Sequence, residues 1–364
     1  MNGNHYTAAI VGVGKGGKGR AGGNSIGYAH ANTYVHHEGT HLVAAADINE
    51  QNLAHFLDVY DLPESAGYTD HRRMLDEAKP DIVSVCTYVG THRPIIEDAV
   101  ASGVKAVFCE KPFVMTMDDA RAVTEACEQA GVKLIANHYR RDLDVFQTAA
   151  RLVREGAIGQ PVLFYAGIND WDQMEWGAHW LDAFCAIAGD QPVKTVSATV
   201  RCTGEKETRF GHHMEQYSLA CYTFEDGTRG ILEGGRKPNG DFAMRLVGNN
   251  GLVDIKGNHE VRLINKDGEQ TLTCQSTAHM NRDERQPRDA DGNPIMAYPF
   301  LIDDLIAWME GGPEPTTGPA NVLRTTEMYL AAYESGLRGD VIDLPLGPQS
   351  EFPLDAIVRR QSGG

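Results

Sequence analysis

The chain has 364 residues, 42% of them hydrophobic and 23% charged, the composition of a globular protein long enough for two domains. Its 33 Lys and Arg against 50 Asp and Glu leave a formal charge of −17, which repels a phosphate backbone and gains nothing at an anionic membrane, so neither nucleic acid nor membrane is an expected partner. The seven cysteines are scattered, odd in number and without a CxxC pair, the start carries no basic n-region, and no apolar run reaches the ~18 residues of a membrane span; a cytoplasmic location is expected.

Up to about residue 140, short β-branched runs alternate with longer amphipathic stretches. Strands are expected at 8–13, 41–46, 81–86, 105–109 and 133–136, and helices at 26–37, 50–60, 70–78, 93–102 and 117–130, closed by Gly39, Pro63, Pro80, Gly103 and Gly131. This rhythm implies βαβ units and a doubly wound parallel sheet, with ligands at the carboxyl ends of its strands. After a helix at 143–155 and a turn at Gly159, Gln160 and Pro161, the rhythm changes. Strands follow one another at 162–167, 195–202, 216–224, 229–234, 242–248, 251–255 and 260–264, which suggests a mostly antiparallel sheet. Helices at 298–310 and 319–336 come last, and the polar stretch 282–294 reads as a solvated loop or a lid.

The first strand runs into a glycine-rich turn. A P-loop, G-x-x-x-x-G-K-[ST], fits residues 12–18 but fails at Gly19, which has no hydroxyl to hold Mg²⁺. A dinucleotide fingerprint, G-x-G-x-x-G, is met by Gly12, Gly14 and Gly17, yet its third glycine should lie on the first turn of a helix, and 15–23 has no apolar periodicity. Asn24 and Ser25 instead can cap a helix from Ile26, which puts Gly27 on its first turn and makes 15–23 an insertion in the phosphate turn. Asp47, at the end of the second strand, then follows Gly27 by twenty residues, the spacing of a ribose-binding acid. Its carboxylate suits the ribose hydroxyls of NAD and repels the 2′-phosphate of NADP. No Arg follows at Ile48 or Asn49, although Lys15, Lys18 and Arg20 in the insertion can curl back; NAD is the favoured cofactor.

Two further elements lie where such a fold holds ligands. Cys109-Glu110-Lys111-Pro112 ends a strand, and Pro112 keeps Lys111 out of helical conformation at the rim of the crevice. In Glu175-Trp176-Gly177-Ala178-His179-Trp180-Leu181-Asp182, the residues Glu175, His179 and Asp182 at i, i+4 and i+7 would share one face of a helix. Trp171, Trp176 and Trp180 stand beside His179 and either stack on the C–H face of a sugar or form core under the sheet. His36-His37 and His212-His213 are adjacent pairs that point to different sides of a regular element, and there is neither an HExxH motif nor a Cys cluster, so no metal site is expected.

The order GxG, Gly27-Tyr28-Ala29-His30, Thr91-His92, Glu110-Lys111-Pro112, Tyr139-Arg140, His179-x-x-Asp182 and the late AAYESGLRGDVIDLPL resembles the glucose-fructose oxidoreductase and inositol dehydrogenase family (Gfo/Idh/MocA) over nearly the whole chain. The resemblance implies a Rossmann domain at 1–140 that binds NAD through Gly12, Gly14, Gly27, Asp47, Thr87, His92, Glu110 and Lys111. It also implies a domain at 141–364 whose large open-faced, mostly antiparallel sheet serves substrate binding and assembly into a homodimer or homotetramer. The implied reaction interconverts a secondary alcohol and a ketone on a sugar, polyol or related cyclic alcohol.

By position, the family's EKP lysine is Lys111 and its active-site histidine is His179. The family commonly has Asp four residues before that histidine; Glu175 stands there, which leaves Asp172 as its rival for orienting the imidazole. Tyr139, Arg140, Asp172, Trp176, His179 and Asp182 are expected at the substrate. Asp182 either orients His179, binds substrate or caps the packing, and Tyr139, Arg140 and Arg141 either line the crevice or form an ion-pair network. The rival reading is an NAD-dependent glycoside hydrolase or lyase that oxidises its sugar transiently, eliminates a substituent and reduces the product again. Net NADH formation separates the two. A non-catalytic NAD-binding regulator is disfavoured by the presence of both Lys111 and His179.

Overall fold

Short runs of Val, Ile and Ala, each followed by a helix, build the first sheet. Its six strands are β1 (Tyr6–Val11), β2 (Thr40–Ala46), β3 (Gly67–Tyr68), β4 (Ile82–Val85), β5 (Ala106–Cys109) and β6 (Lys133–Ala136). All pairs are parallel and the order is β3-β2-β1-β4-β5-β6, so the direction of winding reverses between β1 and β4, where sheets of this kind hold their ligands. Every residue of β4 and β5 is buried, as expected of parallel strands covered on both faces. The computed structural model describes residues 5–16, 25–168, 171–204, 211–235, 243–274, 287–288 and 295–362.

The chain divides into two compact units, each made of three pieces. One comprises residues 1–113, 121–137 and 283–320, the other 114–120, 138–282 and 321–364. A division at residue 140 thus separates the two sheets in sequence, while the helix Pro299–Met309 returns to the first unit. There the Tyr298 N–H donates to Thr33 Oγ1 (2.8 Å), Asn32 Nδ2 donates to Met296 O (3.2 Å), and His37 meets Asp303 (3.0 Å).

The second unit is built on nine strands: β7 (Pro161–Ile168), β8 (Val193–Arg201), β9 (Tyr217–Phe224), β10 (Arg229–Gly234), β11 (Met244–Gly248), β12 (Gly251–Lys256), β13 (Glu260–Asn265), β14 (Gly268–Thr273) and β15 (Ile342–Asp343). They run in the order β14-β13-β12-β11-β7-β10-β9-β8-β15, antiparallel throughout except for β7 beside β10. Along β7 the buried Phe164, Ala166 and Ile168 alternate with more open neighbours, the pattern of a sheet packed on one face. On that face Phe164 packs against Phe184 of the helix Gly177–Ile187 and against Phe224 (6.1 and 6.3 Å between ring centres). Val162 and Leu219 are exposed. All seven cysteines are free, and no described helix is long and apolar enough to cross a membrane.

Candidate active site

In the first unit the backbone leaves β1 through Gly12 (φ 89°) and Gly14 (φ 68°), in a left-handed conformation that favours glycine. A Cβ on Gly27 would stand 2.7 Å from Gly12 O and 2.9 Å from Val13 Cα, so the helix Ile26–Val35 approaches β1 this closely only with glycine on its first turn. That is the task of the third fingerprint glycine, and Gly27 has the geometry for it. Gly17, Lys18, Arg20, Asn24 and most of 282–294 lie outside the described residues. Ser25 occupies the N-cap position, but its hydroxyl donates to Lys15 O (3.0 Å) rather than capping the helix. That bond joins the two flanks of the insertion, so the Ser25 side chain does not cap the helix.

Asp47 directly follows β2; its Oδ2 accepts the Gly14 N–H and its Oδ1 the Asn49 N–H, both at 2.8 Å. Beside it Ile48 is 93% exposed. The Tyr28 hydroxyl is buried and has no hydrogen-bond partner among the described residues, and burial together with the charge of Asp47 pushes it up to about 12. A glycine-rich turn, a helix end without a side-chain cap, a carboxylate and an orphaned hydroxyl fit the pyrophosphate and ribose of a dinucleotide.

Thr87, after β4, lies against the same turn: a Cβ on Gly12 would stand 2.7 Å from its Cγ2. Two other residues expected at the cofactor, Glu110 and His92, are enclosed by protein. Glu110 is buried; its Oε1 meets His30 Nε2 (2.9 Å) and accepts from Asn137 Nδ2 (2.5 Å), while Oε2 accepts the Lys111 N–H (3.1 Å). Burial pushes this carboxyl up, but His30, the charge of Lys111 and Asn137 together hold it below the usual carboxylate range. The side chain therefore fixes the backbone that carries Lys111. His92 is likewise enclosed, with Nδ1 2.9 Å from Phe113 O and Nε2 3.0 Å from Thr87 O. Burial is the main cause of its lowered pKa, and its two bonds splint the loops at Thr87 and Phe113.

In the second unit, Asp172 shapes the turn ahead of the helix Gly177–Ile187: its Oδ1 accepts the Glu175 N–H (2.8 Å) and its carbonyl the Gly177 N–H (2.9 Å). Glu175 therefore precedes the helix, so the shared face expected for Glu175, His179 and Asp182 does not exist. Its Oε1 lies 3.3 Å from Nε2 of His212, one of the adjacent histidines considered above only as metal ligands. Burial, then the charges of Glu215 and Glu175, hold the Asp172 carboxyl well above the usual range.

His179 sits edge-on to Tyr139 (5.3 Å, 70°) and Trp176 (5.7 Å, 64°). The guanidinium of Arg140 lies over Trp180, Trp176 and Tyr139, at 5.2, 5.5 and 5.9 Å from their centres. Trp180 is core, packed on Phe146, whereas Trp176 is half-buried and contacts Trp171. Asp182 is fully buried: Arg141 Nε donates to its Oδ1 (3.0 Å), as does Asn321 Nδ2 (2.8 Å). Burial pushes it up to about 6 against the pull of Arg141, so the pair is ionic at neutral pH. Asp190 and Arg324 extend the network. Asp182 thus anchors the helix of His179 through Arg141 and Asn321. Among the described residues no group of His, Cys, Asp and Glu is arranged to hold a metal ion.

Residues 7–138 match the model of the oxidoreductase family with an NAD-binding Rossmann fold, Gfo/Idh/MocA. A 2,7-anhydro-N-acetylneuraminate hydratase of Escherichia coli is 33% identical over 301 residues, 76% of this chain and 76% of that protein. The chain belongs to the Gfo/Idh/MocA family. Another relative, a D-apiose dehydrogenase of Paraburkholderia graminis, is 26% identical over 360 residues, 92% of this chain and 90% of that one. An Agrobacterium radiobacter oxidoreductase, solved with NAD+, L-tartaric acid and magnesium, shares the fold at TM-score 0.72 and 20% identity, over 93% of this chain and 98% of its own. As a Gfo/Idh/MocA protein the chain has an NAD-binding Rossmann domain in its N-terminal part, and the glycine turn and Asp47 are the groups that fit that cofactor.

Proposed function

We propose that the protein interconverts a secondary alcohol and a ketone on a sugar, polyol or related cyclic alcohol, with NAD as hydride carrier. One observation carries this reading: His179 is held edge-on by Tyr139 and Trp176, on a helix anchored through the Asp182–Arg141 pair, beside an aromatic face suited to a sugar. Gly12, Gly14, Gly27, Asp47 and Thr87 would hold NAD; when bound, it would supply the carbon that accepts hydride.

In the oxidation direction the alcohol must give up its hydroxyl proton, and a ring nitrogen of His179 is assigned to take it. A histidine with a reference pKa of about 6.5 accepts a proton at neutral pH more readily than a lysine does. Lys111 is assigned the developing alkoxide, which its ammonium stabilises, and Glu110 fixes the backbone from which it projects. Asp172 is a positioning residue, acting through the turn that starts the helix of His179. The exposed face of the second sheet is the proposed contact of a homodimer or homotetramer.

His179→Ala and Lys111→Ala should each lower kcat by about 100-fold or more and leave NAD affinity nearly intact. If His179→Ala kept wild-type kcat from pH 6 to 9 while Lys111→Ala did not, the base would be Lys111. The 33%-identical hydratase favours a second reading, transient oxidation with elimination. Product formed without net NADH would select it.

A further inference from the structure

Arg140 and Arg141 are neighbours in sequence with opposite surroundings. Arg141 is 2% exposed and saturated by carboxylates, Nε on Asp182 Oδ1 (3.0 Å) and a terminal nitrogen on Asp190 Oδ1 (2.7 Å). Arg140 is only half-buried, and among the described residues no carboxylate lies within ion-pair distance of it. One terminal nitrogen reaches Asn258 Oδ1 at 3.5 Å, the outer limit of a hydrogen bond, and its buried Nε has no acceptor among the described residues.

The rings of Trp180, Trp176 and Tyr139 surround the guanidinium and restrict it. They attract its charge but accept none of its five N–H donors in the plane of the fork. In a chain of net charge −17 the neighbouring Arg141 finds two acids, whereas Arg140 meets none among the described residues. A planar donor fork with its rotamer limited by rings is preorganised for a planar, bidentate acceptor, which is a carboxylate. A phosphate dianion is the poorer match, because among the described residues these rings hold a single guanidinium. Tyr139 and Trp176, which hold the guanidinium, are also the two rings against which His179 rests.

We propose that Arg140 binds a carboxylate of the substrate, so that the alcohol oxidised belongs to a sugar acid or similar polyhydroxy monocarboxylate rather than to a neutral sugar or polyol. This rests on His179 being at the reacting hydroxyl, as read above.

The test pairs acids with their neutral counterparts: D-glucuronate with D-glucose, D-galacturonate with D-galactose, D-gluconate with D-glucitol. Binding to the NAD-loaded protein is followed by tryptophan fluorescence, to which Trp176 and Trp180 report, and turnover is followed separately by NADH absorbance. In at least one pair the acid should bind tenfold or more tightly than its partner. Arg140→Met, which keeps an unbranched stem on the rings, should weaken the acid at least tenfold more than the neutral compound. Arg140→Lys, which keeps charge but not the fork, should fall between. Binding of no acid more tightly than its neutral partner, or equal weakening of both in Arg140→Met and Arg140→Lys, overturns the proposal. Acid-selective binding that depends on Arg140 without NADH formation would uphold it and sink the dehydrogenase reading; NADH formed preferentially from the neutral members would do the reverse.

Discussion

Replacing Glu110 by Gln tests whether the lysine is held in place by the carboxylate behind it. Gln keeps the shape and can put its amide oxygen at the Oε1 position, where His30 and Asn137 gather. Its NH2 then takes the Oε2 position and meets the Lys111 N–H, donor against donor. One hydrogen bond to a charged acceptor is lost, about 1.5–3 kcal/mol, and a part-buried N–H is left without its acceptor, so Glu110→Gln should be less stable by roughly 2–3 kcal/mol at pH 7. The lost bond fixes the residue that carries the ammonium, so kcat should fall by about tenfold or more while KM for NAD moves little. Urea midpoints and initial rates of NADH formation measure the two effects. The pH dependence adds a check. Glu110 has a depressed pKa, so its stabilisation is complete above the unfolded value of about 4.3 and is lost as pH falls through the lower folded value. The deficit of Glu110→Gln should therefore shrink in acid. An unchanged midpoint at pH 7 would refute the account of the hydrogen bonds, and a lowered midpoint with wild-type kcat would refute their link to Lys111.

Two further outcomes are expected. Asp47→Ser combined with Ile48→Arg should move coenzyme preference toward NADP, read as the ratio of kcat/KM for the two; no movement would mean that the insertion 15–23 reads the ribose. Asp172, whose pKa is raised by burial and by Glu215 and Glu175, favours folding fully only at low pH, and that contribution is lost as pH rises from the unfolded value of about 3.9 through the raised one. Asp172→Asn keeps an oxygen for the Glu175 N–H, so its urea midpoint should gain on wild type as pH rises from 4 to 8; parallel curves would rule out a titrating Asp172.

The parallel sheet was legible because each strand is a short apolar run closed by a helix with its own stop, and the helix Met117–Ala130 and strands β6 and β10 fall where the pattern puts them. The missed strands have physical reasons. β3 and β15 are two residues long, and β14, GEQTLT, lies at a sheet edge with mostly exposed side chains and no apolar alternation. Gly27 could be found because close packing of helix on strand demands glycine at one register. Glu175 was misplaced because the period of a helix extends through any sequence of suitable spacing, whereas this helix starts where Asp172 turns the backbone. The partners that enclose Asp182 and His92 were not legible because they are distant in sequence: Asn321 lies 139 residues from Asp182, and Phe113 lies 21 from His92. Nothing local tells a buried, satisfied polar group from a functional one.

The return of the helix Pro299–Met309 to the first unit governs the order in which the protein can be completed during synthesis. Tyr298 closes over His30 and Phe108, at 5.5 and 6.1 Å between ring centres, yet it leaves the ribosome long after β6. At roughly 5–20 residues per second the intervening chain takes on the order of ten seconds to make. Through that interval His30, which meets the carboxylate behind Lys111, has its neighbours from β4 and β5 but lacks the tyrosine that covers it. A nascent chain should therefore gain protection at His30 only once the segment around Tyr298 has emerged, and truncation before that segment leaves the first sheet with an uncovered flank.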